Sequence, residues 1–499
     1  GTDVCLSRAV DNPVRWVYTP NPDCYLLKSD SLIVRVDLST ASITYLDKEG
    51  RLLLQEDQNI PRISEKRVAK QVIYDEHSKH IEKTADGDKE IKNVLRYDII
   101  GHTWKYRINF KWQPLEALYG WGAHMEDYMN LRGKELYLCQ HNLKAMVPVL
   151  NSTAGYGLLF DAGCAMMFKD NSEGSFVELE AAKQIDYYFM KGKTMDAVVA
   201  NYRLLTGNSP MMPLYLFGYI QSKERYVSSD DLINTLKEYR QRQIPIDMIV
   251  QDWNYWPEGQ WGNMSMNPKF YPDKRKLADE IHSLHAKLMI SIWPNAMNCP
   301  QHEEFKREGW LLSGTSVYDA FNPLARKLYW NYANNEFFGN GFDAWWCDAS
   351  EPLDADWTFM KDGYGADNHR QRWELNTNLL NSVLGAERSQ LYSLYHAKGI
   401  YENQRSTNED KRVVNLTRSS YAGQQRYSTI TWNGDTYATW QSFAQMIPAG
   451  LNFMATGCPY WTVDIGAFFT KNGPQWFWKG DYDKGVADMA YRELYTRMF

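Results

Sequence analysis

Gly341-Phe342-Asp343-Ala344-Trp345-Trp346-Cys347-Asp348-Ala349-Ser350-Glu351-Pro352 carries an acid out of a buried strand. The run from Phe342 to Trp346 is mostly apolar and aromatic, and Asp348 stands where such a strand ends. An ionised carboxylate is expensive in apolar surroundings, so an acid in this place needs a reason. At the C-terminal end of a parallel strand the usual reason is catalysis. Asp435 has a similar setting, at the end of Thr429-Ile430-Thr431-Trp432-Asn433-Gly434-Asp435. Two carboxylates on two strand ends, among tryptophans, point towards sugar-cleaving chemistry.

Outward from this stretch the chain alternates strand and helix, which predicts parallel pairing. Strands are expected at Leu214 to Ile220, Asp247 to Trp253, Lys287 to Trp293, Phe342 to Cys347, Arg412 to Arg418 and Ser428 to Trp432, with a seventh inside Asn452 to Trp461. Helices are expected at Ser228 to Arg242, opened by cap candidates Ser228-Ser229-Asp230, at Asp273 to Leu284, and from Lys484 onward. Several strands end in polar or aromatic residues, as the catalytic face of a (β/α)8 barrel demands. A closed barrel has eight strands and seven are counted, so the expectation is a barrel truncated before its eighth.

Before Pro213 the rhythm is different. Short strands separated by turn signals fit Ser31 to Leu38, Ser42 to Leu46, Arg51 to Leu54, Arg67 to Tyr74, Val94 to Ile100, Thr103 to Phe110, Ala145 to Leu150, Tyr156 to Phe160 and Ser175 to Glu180. This predicts an antiparallel β-sandwich. The charged run Lys79 to Lys92 reads as an exposed hairpin or loop, and Met195 to Leu205 as a helix. Thr206-Gly207-Asn208-Ser209-Pro210 breaks the chain. The expected division is therefore a sandwich over 1–208 and a barrel over 209–499.

The 499 residues are too many for one ordinary domain, and 44% hydrophobic content supplies ample core. A net charge of -6 leaves no basic footprint for nucleic acid. No apolar run approaches the ~20 residues of a membrane helix. The 19 Trp and 33 Tyr offer flat faces with polar edges, suited to stacking on sugar rings or simply to filling a core. The seven cysteines are scattered without CxxC spacing, which is neither a disulfide scaffold nor a zinc pattern. Cys5 and Cys24 are a candidate bridge, with buried thiols the alternative. Nothing calls for a cofactor or metal: His302, Glu303 and Glu304 adjoin one another but read as charges at a helix start. Gly1-Thr2 without a Met fits a processed or engineered terminus. It leaves the compartment open, with a secreted or periplasmic location ahead of a cytoplasmic one.

Together these motifs resemble glycoside hydrolase family 31, the α-glucosidase and α-xylosidase family. Asp343 to Pro352 resembles its nucleophile segment. Arg418-Ser419-Ser420-Tyr421-Ala422-Gly423-Gln424-Gln425-Arg426-Tyr427 with Trp432-Asn433-Gly434-Asp435 resembles its acid/base segment. Pro459-Tyr460-Trp461-Thr462-Val463-Asp464-Ile465-Gly466 resembles a third signature, and Gln251-Asp252-Trp253 and Ile292-Trp293-Pro294 resemble two edges of its sugar pocket. The likeness covers the chain from about Leu214 onward and reaches weakly into Leu118-Tyr119-Gly120-Trp121-Gly122. Members continue into an eighth strand with a pocket histidine in an Arg-Ser-His-Gly context, which this chain does not contain.

The resemblance implies Asp348 as nucleophile and Asp435 as general acid/base of a retaining exo-α-glycosidase acting on oligosaccharides. Such enzymes place one carboxyl on each side of the anomeric carbon, roughly 5 Å apart. Arg418 is expected to hold an adjacent carboxylate ionised and bind sugar hydroxyls. Asp252 is expected to read a diol, because a carboxylate accepts two hydrogen bonds. Trp293, Trp346 and Trp432 are candidate pocket walls, with core packing as the alternative. Asp464 faces either the sugar or a neighbouring donor. Glu351 is expected behind Asp348, and Glu224 and Arg225 as a local ion pair first and as pocket support second. Gln221-Ser222-Lys223-Glu224-Arg225-Tyr226 resembles the α-xylosidase branch, with an α-glucosidase, transglycosylating or not, close behind. A silent carbohydrate-binding protein is the rival of another class. A metal-dependent sugar isomerase lacks its His and carboxylate spacing here.

Overall fold

The computed structural model describes residues 15–84, 87–355, 369–473 and 479–499. Cys5 lies outside them, so its pairing with Cys24 falls outside as well. The six described cysteines are buried thiols.

The N-terminal part is built from antiparallel sheets. A meander of Trp16–Pro20, Cys24–Ser29, Leu32–Asp37, Ile43–Asp47 and Leu52–Glu56 joins Val94–Lys111, then Gly174–Ala182, Met166–Asn171 and Glu135–Leu138. Arg62–Tyr74 pairs with Val94–Lys111 and makes ten strands. A second sheet holds Leu118–Ala123, Ala145–Ser152, Tyr156–Phe160 and Tyr187–Lys191. One apolar core joins the two sheets, with the Tyr45 ring stacked 3.9 Å from that of Phe189.

Two expected strands are one. Val94–Lys111 runs unbroken for 18 residues. Ala69 opposes Gly101 while Lys70 opposes Ile99, so Ile100 is an extra residue in the ladder. Gly101 takes φ +150° beside it, a local kink rather than a turn. The charged run of residues 79–92 holds a hairpin of His80–Thr84 and Gly87–Ile91.

The same core continues through Leu391, Leu394, Tyr421 and Phe453, so the sheets and the second half share buried surface. At the junction the Asn452 amide accepts from Gly120 N at 2.7 Å and donates to Tyr128 O at 2.8 Å.

The second half is a parallel sheet whose strands neighbour one another in chain order: β1 (Ile220–Gln221), β2 (Met248–Gln251), β3 (Lys287–Ile292), β4 (Ala344–Cys347), β5 (Asn415–Thr417), β6 (Thr429–Trp432) and β7 (Trp461–Thr462). Alternate residues face opposite ways. Met248, Val250, Met289, Ala344, Leu416, Ile430 and Trp432 form an inner core. Ile249, Leu288, Ile290, Ile292 and Trp345 pack outward, with Leu232, Leu277, Tyr329 and Ile400 of the surrounding helices. Ser229–Gln241 starts at Ser228, whose hydroxyl accepts from Asp231 N, and Lys274–Ser283 starts at Asp273 in the same way. Among the described residues β1 and β7 each pair with one neighbour only, so the sheet is open between them. No described helix is long and apolar enough to cross a membrane.

Three sequence expectations need correction here. Leu214–Phe217 is a 3-10 turn, and strand begins only at Ile220. Leu214 and Phe217 are exposed, so apolar character there does not mark a buried strand. The seventh strand lies only at the end of its expected stretch, at Trp461–Thr462, and the stretch opens in the helix Trp440–Ala455, which continues through Pro448. The final helix starts later than Lys484, at Met489–Met498, capped by Asp488.

Candidate active site

The C-terminal ends of the parallel strands converge on a cavity of about 1050 Å³. Asp348 follows β4, and its N–H still donates to Ile292 O at 3.2 Å, so the ladder positions it. Trp346, two residues earlier, faces the same side and meets Trp432 edge-on at 4.9 Å. Arg418 follows β5, Asp435 lies three residues past β6, Asp252 follows β2, Trp293 follows β3, and Asp464 lies two residues past β7. All of these line the cavity, with Trp346 and Trp432. Trp346 and Trp432 thus serve both the cavity wall and the inner core, while Trp293 belongs to the outer one.

Arg418 is the hub. Its Nε and Nη2 bind the two Glu351 carboxyl oxygens at 2.8 and 3.0 Å. Its Nη1 lies 3.1 Å from Asp348 Oδ1 and 3.3 Å from Asp435 Oδ2. Asp354 comes within 3.8 Å. Burial opposes the charge of the guanidinium, but Glu351, Asp348 and Asp435 outweigh it and hold Arg418 protonated. Four acids thus crowd one cation.

Burial raises the Asp348 carboxyl well above the usual carboxylate range. Arg418 opposes that rise, while Asp435 and Glu351 add to it. Ala349 N donates to Asp348 Oδ1 at 2.6 Å and favours the ionised form. Burial, then the charge of Asp348, pushes Asp464 up to about 7. Asp252 is raised by burial first and by Asp348 second. Among the described residues Asp252 Oδ1, Trp293 Nε1 and Trp432 Nε1 are buried without a hydrogen-bond partner. An acceptor and two indole donors in a cavity wall match what sugar hydroxyls present.

Glu351 is fully buried and reaches Asp348 through the Arg418 that both bind. Glu224 and Arg225 do not pair with each other, and Glu224 instead lines the cavity. Asn142 was missed. It reaches Asp435 from the N-terminal sheets, and a short polar turn 293 positions away carries no signal for that. Among the described residues no three His, Cys, Asp or Glu side chains group to hold a metal ion.

Comparison with known proteins agrees with this architecture. The profile of the glycosyl hydrolases family 31 TIM-barrel domain matches residues 209–499. An alpha-xylosidase of Saccharolobus solfataricus is 35% identical over 80% of this chain and 52% of its own length. Alpha-xylosidase A of Aspergillus niger is 27% identical over 80% of this chain and 56% of its own. The chain thus spans about half the length of these curated relatives. A GH31 alpha-xylosidase from a soil metagenome, solved with xylose, superposes with a TM-score of 0.78 at 26% identity, covering 100% of this chain and 69% of that one.

Proposed function

The chain belongs to glycoside hydrolase family 31, and we propose that within it the chain forms the core of a retaining exo-α-glycosidase that releases a terminal α-linked sugar from oligosaccharides. The observation that carries this reading is the sharing of Arg418 Nη1 between Asp348 and Asp435. The two facing oxygens can be no farther apart than the sum of those contacts. That suits the ~5 Å of a retaining pair better than the ~6.5–9.5 Å that admits a water between carboxyls.

In the first step an Asp348 oxygen attacks the anomeric carbon, the bond to the leaving oxygen breaks, and Asp435 gives that oxygen its proton. In the second, water attacks the same carbon, Asp435 takes the water's proton, and the bond to Asp348 breaks. Arg418 keeps Asp348 available as the anion while the surrounding acids favour the positive charge that develops on the sugar ring. Asp252 accepts from two adjacent hydroxyls, Trp293, Trp346 and Trp432 form the walls, and Asp464 contributes a further polar contact.

α-Xylose is the favoured sugar, supported by the alpha-xylosidases among the relatives. Residues 1–208 and 209–499 act as the two domains, and the gap between β1 and β7 is the place of an eighth strand, which the open edges of both support.

The test compares aryl α-xyloside and aryl α-glucoside hydrolysis by the full-length polypeptide and its Asp348→Ala variant. Faster xyloside turnover, abolished by the substitution, supports the reading. Faster glucoside turnover moves the sugar to glucose. Oligosaccharide binding without turnover of either would replace the enzyme with a binding protein.

A further inference from the structure

The connection between the two N-terminal sheets makes a tight turn into the barrel mouth. His141 and Lys144 exchange backbone hydrogen bonds at 3.3 and 2.9 Å across it, and Leu143 takes φ +73°. Asn142, at its tip, is 2% exposed. Its Oδ1 accepts from the backbone N–H of Asp435 at 3.0 Å, and its Nδ2 donates to Asp435 Oδ2 at 2.8 Å. The orientation of an Asn amide is ordinarily an inference from its partners. Here it is fixed, because a backbone N–H can only donate and so must face the amide oxygen.

The turn is built to stay in place. Lys144 forms a buried ion pair with Glu126, donates to Tyr137 O at 3.1 Å and lies 3.8 Å over the Tyr137 ring. Gln140 binds Ser420 O at 2.6 Å, two residues past Arg418. Arg372 donates to Asn142 O at 2.8 Å. Across the gap Gly434 has φ +77°, and a Cβ there would collide with Asn142 Oδ1. The close approach is thus written into both sides.

We propose that Asn142 is a positioning residue for Asp435, reaching across from the N-terminal sheets to set which carboxyl oxygen delivers the proton to the leaving group. This rests on the reading of Asp435 as the general acid/base. Asn142 and Arg418 both place donors on Oδ2. Negative density therefore gathers on Oδ2, and the transferable proton belongs on Oδ1. Without the amide, the carboxyl can rotate and the proton loses its aim. In the second step the same donor favours the ionised base.

The experiment uses the full-length polypeptide, with Asn142→Ala and the isosteric Asn142→Asp, on an alkyl α-glycoside and the matching α-glycosyl fluoride. The fluoride needs little protonation to leave and the alkoxide needs it fully. Asn142→Ala is expected to lower kcat/KM for the alkyl glycoside on the order of 100-fold, and for the fluoride by less than about tenfold. In Asn142→Asp the added carboxyl faces Asp435, so the alkaline limb of the kcat/KM profile moves to higher pH. Gly434→Ala, which pushes the turn away, should reproduce the leaving-group dependence even if Asn142→Ala folds poorly. Equal losses on both substrates with an unmoved pH limb, or no loss at all, would overturn the role. Wild-type protein inert towards both substrates would overturn the functional reading instead, and the role with it.

Discussion

Glu351 grips Arg418 side-on, through Nε and Nη2 contacts of 2.8 and 3.0 Å, and leaves Nη1 to serve Asp348 and Asp435. The fully buried Glu351 therefore sets where the guanidinium points, and through it where both acids sit. Removing one partner of a buried ion pair typically costs ~3–5 kcal/mol, because the other charge is left buried. Glu351→Ala is expected to lower unfolding free energy by about 3 kcal/mol and to abolish most turnover, while Glu351→Gln retains more of both. Denaturant melts with parallel assays check this. An Ala variant of wild-type stability would contradict it.

Asp464 gives the protein a pH signature. Its folded carboxyl is raised to about 7 from an ordinary 3.8, so between those values the folded state binds a proton that the unfolded chain has lost. Stability must then fall as pH rises through that window. Asp464→Asn removes the contribution. It is expected to stabilise the protein at pH 8 by on the order of 1 kcal/mol, after allowance for partial solvent screening, with little effect near pH 4. Equal differences at both pH values would show that the carboxyl does not titrate this way.

Asp252 presents a buried, unpartnered oxygen to the cavity. Asp252→Asn replaces an acceptor with a donor where a diol needs acceptors. The expected loss in kcat/KM is on the order of 100-fold, equivalent to about 3 kcal/mol for two lost hydrogen bonds. A terminal sugar lacking one of the two hydroxyls should lose much less on substitution than the parent sugar does. Equal losses would remove the diol assignment.

Asp435→Ala should spare α-glycosyl fluoride turnover far more than that of alkyl glycosides, since only the latter demand a proton. Added azide should then intercept the sugar on Asp348 and yield the α-glycosyl azide, the retained anomer. Formation of the β-azide would indicate a single displacement.

Much of this arrangement was legible before folding was considered. An apolar run ending in an acid, as at Trp346-Cys347-Asp348 or Ile430-Thr431-Trp432-Asn433-Gly434-Asp435, marks a strand end because burial and charge conflict there. Asp252 carries the same local mark and Arg418 stands at an expected strand end, while Asp464 is placed by the resemblance of its segment, and all meet at one cavity. What stayed hidden depends on distant chain segments. Asn142 sits in a turn whose purpose exists only once Asp435 is beside it. Leu214 and Phe217 are apolar yet face outward, so composition alone misread them as strand. Val94 to Ile100 and Thr103 to Phe110 are expected as two strands because sequence does not distinguish a bulge from a break.

The central claim is that Asp348 forms a covalent bond to the sugar. Treating the full-length polypeptide with a 5-fluoro-α-xylosyl fluoride, which slows the second step more than the first, should trap that intermediate. The account predicts stoichiometric inactivation and, by peptide mass spectrometry, one fluoroxylosyl group on Asp348. A label on another residue, or turnover that releases the inverted sugar with no adduct, would contradict it.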